Sequence, residues 1–349
     1  MNQRTSIPLQ RLRSQLLARN PATTAHEVVA HLGAVQAQDY LGALWAVGLR
    51  TRAAVESDIE RALAERSIVR CWPMRGTLHF VAAEDARWML ELLAPRVLKR
   101  HRTRLQRDFE LDPRTLHRSG TVIERALHGG RALTRPEIYA TLEKGRIATR
   151  ASRGLHILFA LAHEHLICFG PRRGKQPTFV LLDEWLPATK PKPRDEALAE
   201  LARRYFAGHG PATTADFAWW SGLTLKEANE AFLLANVQHI AVRISATPSV
   251  HLLPPFDEYT VAYKDRTAVI DPAFAKRVNA GGGMLNAVVV VNGWVVGSWK
   301  RELRGKSVDI TVSPFRAMTS REMSVLEREG ARYAKFLGLG SSRLTCLTA

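Results

Sequence analysis

A run of predicted helices in this chain is followed by two β-type segments, Ile68-Val69-Arg70-Cys71-Trp72 and Gly76-Thr77-Leu78-His79-Phe80-Val81. Pro73-Met74-Arg75 lies between them and predicts a turn. The preceding helices are predicted near 8–18, 24–33, 40–49 and 55–65. Helices followed by a strand–turn–strand wing are typical of a winged helix-turn-helix module, and they do not fit a βαβ sheet. Residues 1–108 are therefore predicted to form winged-helix module 1.

The same order of elements recurs further along the chain. A basic helix at 96–107 leads to predicted helices near 114–128, 134–143 and 150–165. Two predicted strands, 166–169 and 178–182, flank a turn that carries Arg172, Arg173 and Lys175. Residues 109–188 are therefore predicted to be winged-helix module 2 with a basic wing.

A third helical section follows a linker at 186–194, which contains prolines at 187, 191 and 193. This section contains two helix-turn-helix candidates, at 213–222 and 224–236. Residues 189–250 are therefore predicted to form winged-helix module 3. Residues 251–349 are β-rich, with the hairpin turn signal Asn292-Gly293. A capping-box pattern, Thr319-Ser320-Arg321-Glu322, opens a closing helix. The predicted fold class is α+β and mainly helical, with three tandem winged helix-turn-helix modules.

The charge of the chain indicates a polyanionic partner. It has 50 Lys and Arg residues against 33 Asp and Glu residues, a formal charge of +17. Arginine forks suit phosphate geometry, so double-stranded DNA is the expected partner. Three dispersed cysteines give no disulfide framework or zinc site, and no metal or cofactor is expected. No apolar segment of about 18 residues and no signal pattern is present, so we expect a cytoplasmic protein.

Two glutamines stand one residue apart in Val35-Gln36-Ala37-Gln38-Asp39, between two predicted helices. In an extended backbone, side chains at i and i+2 project to the same side, so Gln36 and Gln38 would converge while Ala37 turns away. This arrangement makes the pair a candidate catalytic site. The alternative is that both amides satisfy backbone groups of the loop.

Five motifs in this order resemble those of the AlkZ-like bacterial DNA glycosylases. They are His31-Leu32-Gly33-Ala34-Val35-Gln36-Ala37-Gln38-Asp39, Met74-Arg75-Gly76-Thr77-Leu78-His79, Gly170-Pro171-Arg172-Arg173-Gly174-Lys175, Asp216-Phe217-Ala218-Trp219-Trp220-Ser221-Gly222-Leu223 and Pro255-Phe256-Asp257-Glu258-Tyr259. The resemblance implies three winged-helix modules with a small C-terminal β-barrel at 251–349. It also implies excision of N7-alkylated guanine, and in some members unhooking of DNA interstrand crosslinks, by a glutamine-x-glutamine or glutamine-x-aspartate motif. Gln36 and Gln38 would be its catalytic residues.

The chemistry of a glutamine pair suits such a substrate. Guanine alkylated at N7 is already cationic, so its glycosidic bond breaks towards a neutral leaving group without a general acid. A neutral amide can hold a water molecule near C1′, and its carbonyl dipole can stabilise positive charge on the sugar. We therefore expect a monofunctional, monomeric glycosylase that hydrolyses this bond with a glutamine-positioned water.

Candidate DNA contacts lie on the wings and at the start of the third helix of module 2. Each is also explained by an ordinary structural role, as an exposed charge or a satisfied strand histidine. They are Arg75, His79, Arg150, Arg153, Arg172, Arg173 and Lys175.

Four further features have two interpretations each. Asp39 is predicted to cap the following helix, with general-base catalysis as the alternative. The acidic group Asp257-Glu258-Tyr259 is predicted to bind an arginine such as Arg266, with an approach to the active site as the alternative. Trp219 and Trp220 are predicted to be core residues, with base stacking as the alternative. His163-Glu164-His165 does not fit a zinc motif, since i and i+2 on a helix do not face one site.

Two other functions compete with a monofunctional glycosylase. A non-catalytic winged-helix DNA-binding protein or transcription regulator would explain the charge and the modules, and the glutamines would then be structural. A glycosylase-lyase would need a lysine nucleophile, for which Lys264 is a candidate.

Overall fold

The computed structural model describes residues 3–18, 22–236 and 249–348. These residues mix helices and strands, and they divide into two compact units: unit 1, residues 1–59 and 199–349, and unit 2, residues 60–198. Within the described ranges no helix is long and apolar enough to cross a membrane. The predicted division into four parts has other boundaries than these units and stays a prediction, and residues 237–248 of its third part lie outside the described residues.

The N-terminal stretch of the chain is helical. Its elements are α1 (Gln3–Ser14), α2 (Ala25–Leu32), β1 (Val35–Gln36), α3 (Tyr40–Arg50) and α4 (Glu56–Ala64), and α4 continues into unit 2. Gly33 ends α2 with φ 75°, a backbone conformation that favours glycine. The predicted helix–loop–helix arrangement around the glutamine pair is therefore present.

Unit 2 contains two helix-and-hairpin sections. Its elements are β2 (Ile68–Met74), β3 (Thr77–Ala82), α5 (Ala83–Phe109), α6 (Pro113–Leu127), β4 (Leu133–Thr134), α7 (Arg135–Lys144), α8 (Arg153–His163), β5 (Ile167–Arg173), β6 (Gln176–Leu181) and α9 (Leu182–Trp185). Helix α5 is much longer than the predicted basic helix at 96–107, because it continues through Pro95.

Antiparallel hairpins occupy both predicted wing positions. Strands β2 and β3 pair from Ile68 opposite Ala82 to Met74 opposite Thr77. Arg75 and Gly76 at the tip have φ 55° and 75°, the positive pair that a tight two-residue hairpin requires. Strands β5 and β6 pair in the same way, and β4 adds to β6. The core beneath includes Trp72, Leu105 and Phe169.

The remainder of unit 1 begins within α10. Its elements are α10 (Arg194–His209), α11 (Thr214–Ser221), α12 (Leu225–Ala235), β7 (Val250–Leu253), α13 (Glu258–Val261), a 3₁₀ turn (Pro272–Phe274), α14 (Ala275–Val278), β8 (Asn279–Gly281), β9 (Met284–Leu285), β10 (Val288–Val291), β11 (Trp294–Arg304), β12 (Ser307–Pro314), α15 (Ser320–Phe336) and β13 (Ser341–Cys346). Capping boxes begin α11, α12 and α15, as their Thr-x-x-Asp/Glu spacing predicts.

The C-terminal strands form an open five-stranded sheet in the order β13-β12-β11-β10-β7. Asn292 and Gly293, with φ 51° and 85°, make the predicted turn between β10 and β11. The expected β-barrel is not found, since in the described residues β7 and β13 remain as the two edges. The physical reason is that α15, which supplies the crossover for the parallel pairing of β13 with β12, packs against both edge strands and covers them in place of barrel closure.

Candidate functional site

The glutamine pair lies in the extended connector between α2 and α3, as predicted. Gln36 ends strand β1, and its side chain is only 8% exposed. Ala37 is completely buried, whereas Gln38 is exposed in the turn before α3. The two amides therefore differ in access, and Gln38 is the one open to solvent.

A buried carboxylate anchors this connector from far along the chain. The backbone N–H of Gln36 donates to Oε1 of Glu258 at 2.8 Å. Oε2 of Glu258 accepts from the indole N–H of Trp220 at 2.9 Å and lies 3.3 Å from Nε2 of His209. Glu258, Trp220 and His209 have no exposed surface. The glutamine motif is therefore held against a desolvated carboxyl group.

Asp257 binds an arginine, but not the predicted one. Its carboxylate receives two bonds from the guanidinium of Arg50, at 2.7 and 2.8 Å. Arg266 instead donates to the carbonyl of Thr260. Of the two interpretations of the acidic group, an arginine partner is correct for Asp257, while Glu258 approaches the glutamine motif. Sequence analysis missed Arg50, which ends a helix and carries no signal of its partner.

Asp39 stands at the N-cap position of α3 but makes no capping hydrogen bond. Its Oδ2 lies only 2.6 Å from where a Cβ on Gly42 would be, so the carboxylate folds over the first turn of the helix. The predicted capping bond is therefore absent. The carboxylate instead borders a cavity of about 380 Å³ within unit 1.

The first hairpin, β2–β3, carries Arg75 and His79. His79 has no exposed surface, and its Nδ1 lies 3.0 Å from the carbonyl oxygen of Thr77. Its Nε2 lies 3.3 Å from Nη2 of Arg75, which is half-buried at the hairpin tip. His79 is thus placed to orient Arg75 from within the hairpin.

The second hairpin, β5–β6, holds its basic residues by different contacts. Arg172 donates to Glu60 and to the carbonyl of Lys175, and Arg173 donates to Glu137 and to the carbonyl of Ala132. Arg173 and Lys175 are exposed at the tip. These contacts fix the direction of both guanidiniums.

The two arginines at the start of α8 have different surroundings. Arg150 is exposed. Arg153 donates to the carbonyls of Phe109, Glu110 and Ala148, so its guanidinium ties the end of α5 to the loop before α8.

The adjacent residues Trp219 and Trp220 differ in burial. Trp220 is completely buried, as predicted for a core residue, and binds Glu258. Trp219 is 49% exposed, and its indole donates to the carbonyl of Val261. The core prediction holds for Trp220 only.

Comparison with known proteins defines the class of this chain as a DNA glycosylase, a hydrolase of N-glycosyl bonds. The family model "DNA glycosylase AlkZ-like" matches residues 29–336, and the chain belongs to this family. The interstrand DNA cross-link repair glycosylase of Streptomyces sahachiroi is 28% identical over an alignment of 362 positions, gaps included, that covers 94% of this chain and 95% of that protein. The solved structure of Streptomyces sahachiroi DNA glycosylase AlkZ matches with a TM-score of 0.79 at 25% identity, covering 99% of this chain and 100% of that one. The predicted enzyme class and the predicted family are confirmed.

Proposed function

We propose that this chain hydrolyses the N-glycosidic bond of N7-alkylated guanine in double-stranded DNA and takes part in the repair of interstrand crosslinks. The observation that carries the proposal is the exposed Gln38 beside a connector that Glu258 holds by the N–H of Gln36. The printed name of the Streptomyces sahachiroi relative, an interstrand DNA cross-link repair glycosylase, supports the crosslink part.

The reaction needs no acid at the base. The C1′–N9 bond breaks, and its electron pair goes to N9, which neutralises the cationic alkylguanine as it leaves. A water oxygen then bonds to C1′ and loses its proton to solvent. Gln36 and Gln38 would align this water and direct amide carbonyl dipoles at the developing sugar cation.

Glu258 contributes rigidity and charge to this arrangement. Its carboxylate fixes the backbone at Gln36, so the connector has little freedom to drift from a productive geometry. A buried negative charge also favours positive charge nearby more strongly than a solvated one would. Both effects assist a reaction whose transition state is cationic at the sugar.

DNA binding in this proposal uses four arginines and one lysine, at the tips of the two hairpins of unit 2 and before α8. Arg75, Arg150, Arg172, Arg173 and Lys175 are the contacts that we carry forward, with His79 orienting Arg75. The winged-helix interpretation of the helix-and-hairpin sections, and a monomer that wraps a duplex, belong to this proposal. Arg153 is assigned to holding α5 and α8 together.

The test is alkali-developed strand breakage on a duplex with one N7-methylguanine. Gln36→Ala and Gln38→Ala should each lower excision by roughly 100-fold, the usual loss for a dipole aimed at a transition state. Gln106→Ala, which alters an exposed glutamine on α5, is the matched control. The excision rate should be flat between about pH 6 and 9, because neither amide titrates.

Other outcomes select the competing functions. Full excision activity in both glutamine variants would show that Gln36 and Gln38 are not catalytic residues. Binding of the duplex by wild type without any breakage would favour a non-catalytic DNA-binding protein. Breakage before alkali treatment would favour a lyase, for which the exposed Lys264 is the candidate nucleophile.

A further inference from the structure

A cavity of about 380 Å³, wholly within unit 1, is lined by Asp39, the residue that follows Gln38. We call it the Asp39 cavity, and its size is within the range of small-molecule sites, about 300–1,000 Å³. Its lining includes Asp39, Trp45, Trp299, Lys300, Arg301 and Tyr333.

One wall of the Asp39 cavity presents the carboxylate of Asp39, which makes no capping hydrogen bond. Asp39 follows Gln38 directly, so their Cα atoms are about 3.8 Å apart. An occupant that binds this carboxylate is therefore held by the residue next to the exposed glutamine.

The facing strand, β11, supplies cations. Arg301 is half-buried, and its guanidinium lies 5.5 Å from the ring centroid of Tyr333. Burial lowers the pKa of Arg301, while the charges of Asp39 and Glu56 raise it. Lys300, the next residue on the strand, is exposed. The cavity thus has a hydrogen-bond acceptor, Asp39, on one side and hydrogen-bond donors, Lys300 and Arg301, on another.

Aromatic side chains close the interior of the cavity. Trp45 and Trp299 pack against Tyr333, with ring centroids 4.9 and 5.3 Å away. Both indole N–H groups are already bound, to the carbonyls of Leu252 and Leu253. The buried hydroxyl of Tyr333 has no hydrogen-bond partner among the described residues. Flat, partly polar ligands suit such walls.

We propose that the Asp39 cavity receives the guanine base and selects it against adenine. This inference rests on the proposed function and names the specificity site of the same reaction. The carboxylate of Asp39 would accept from N1–H and the 2-amino group of guanine, while Arg301 would donate to O6.

The selectivity follows from hydrogen-bond chemistry. An ionised carboxylate only accepts hydrogen bonds, and the Watson–Crick edge of guanine offers two adjacent donors. Adenine turns the lone pair of N1 towards the same carboxylate and lacks the 2-amino donor, so the contact becomes repulsive. Enzymes that act on bases commonly recognise this edge in a pocket. The carboxylate of Asp39 alone therefore lets the cavity distinguish guanine from adenine.

Calorimetric titration with free 7-methylguanine tests this site independently of catalysis. Wild-type protein should bind 7-methylguanine and not adenine. Asp39→Asn should weaken binding of 7-methylguanine by roughly 10-fold or more, the usual effect of losing a bidentate base contact. Glu302→Gln is the matched control, because Glu302 is an exposed acidic residue on β11, next to Arg301, and pairs with Arg304. It should bind as wild type does.

Excision assays then separate this inference from the proposed function. Asp39→Asn should slow release of N7-methylguanine by the same factor and leave release of N3-methyladenine no slower than in wild type. Binding of 7-methylguanine that is unchanged in folded Asp39→Asn, or absent in wild type, would overturn the inference even if excision is observed. Asp39-dependent binding without excision by wild type would support it and reject the proposed function.

Discussion

Arg50 and Asp257 form a two-pronged ion pair between residues that are 207 positions apart in the sequence. Nη1 and Nη2 of Arg50 donate to Oδ2 and Oδ1 of Asp257 at 2.8 and 2.7 Å, and neither side chain is exposed. The same guanidinium donates to the backbone carbonyls of Gln15 and Ala46. Asp257 also caps α13, the helix that begins with Glu258. The ion pair therefore fixes the segment that presents Glu258 to the glutamine motif.

Breaking this ion pair should destabilise the protein strongly. We expect Arg50→Met to lower the free energy of unfolding by about 3–5 kcal/mol, because it leaves the carboxylate of Asp257 buried without its partner. Arg304→Met, which removes an exposed partner of Glu302, should change it by about 1 kcal/mol or less. Urea unfolding measures both. Similar losses in the two variants would contradict a special role for the buried pair.

Replacing Glu258 should damage excision more than it damages DNA binding. Glu258→Gln leaves one carbonyl oxygen to receive the N–H of Gln36 and the indole of Trp220, and it turns an amide donor towards one of them. Excision of N7-methylguanine should fall by roughly 10-fold or more, with duplex affinity nearly unchanged. Glu327→Gln, an exposed change on α15, is the control. An unaltered excision rate in folded Glu258→Gln would show that the anchor is dispensable.

The basic residues at exposed positions should act through phosphate contacts. Lys175→Gln and Arg150→Gln should each weaken duplex binding at all sequences and reduce the salt slope of log affinity by about 1. Arg153→Gln should instead lower stability with little change of slope, because its guanidinium binds backbone carbonyls. Fluorescence anisotropy across a salt series gives the slopes. Equal salt slopes of log affinity in wild type and Lys175→Gln would show that Lys175 makes no phosphate contact.

His251 should make the protein less stable in mild acid. It lies buried on β7, and neither ring nitrogen has a partner among the described residues. Burial, helped by the charges of Arg332 and Arg50, lowers its pKa to about 3. The unfolded chain therefore binds a proton that the folded chain does not, and stability falls as the pH drops below about 6.5. The expected loss from this group between pH 7 and pH 5 is about 2 kcal/mol.

The variant His251→Phe tests this assignment. Urea unfolding at pH 7 and pH 5 should show a smaller difference in His251→Phe than in wild type, because the titrating group is gone. The variant should also be at least as stable at pH 7, since it removes buried polar atoms that have no partner among the described residues. An identical pH dependence in the two proteins would assign the acid sensitivity to other groups.

Local features of this chain are well predicted from its sequence. The capping box at Thr319 begins a helix as expected, the helices after Thr213 and Thr224 begin where they were predicted, and Asn292-Gly293 turns a hairpin. Each of these signals acts within four residues, where side-chain chemistry alone decides the backbone. The helix order and both hairpins of unit 2 follow for the same reason.

Contacts between distant segments were not predictable in this way. Arg266 is close to Asp257 in sequence, yet the partner is Arg50, and nothing in Gln36 indicates Glu258. Strand β13 was missed because its pairing with β12 depends on the crossover through α15. The Asp39 carboxylate was expected to cap a helix, since sequence cannot show the space that opens beside it.

The discontinuity of unit 1 sets the order in which the site is made during translation. Glu258 leaves the ribosome 222 residues after Gln36, a delay of roughly 10–45 s at roughly 5–20 residues per second. All of unit 2 is synthesised within that interval. A nascent chain, or a product truncated before Glu258, therefore carries the basic hairpins without an anchored glutamine connector. The proposed base release can therefore begin only after Glu258 has been synthesised, well after the two hairpins of unit 2.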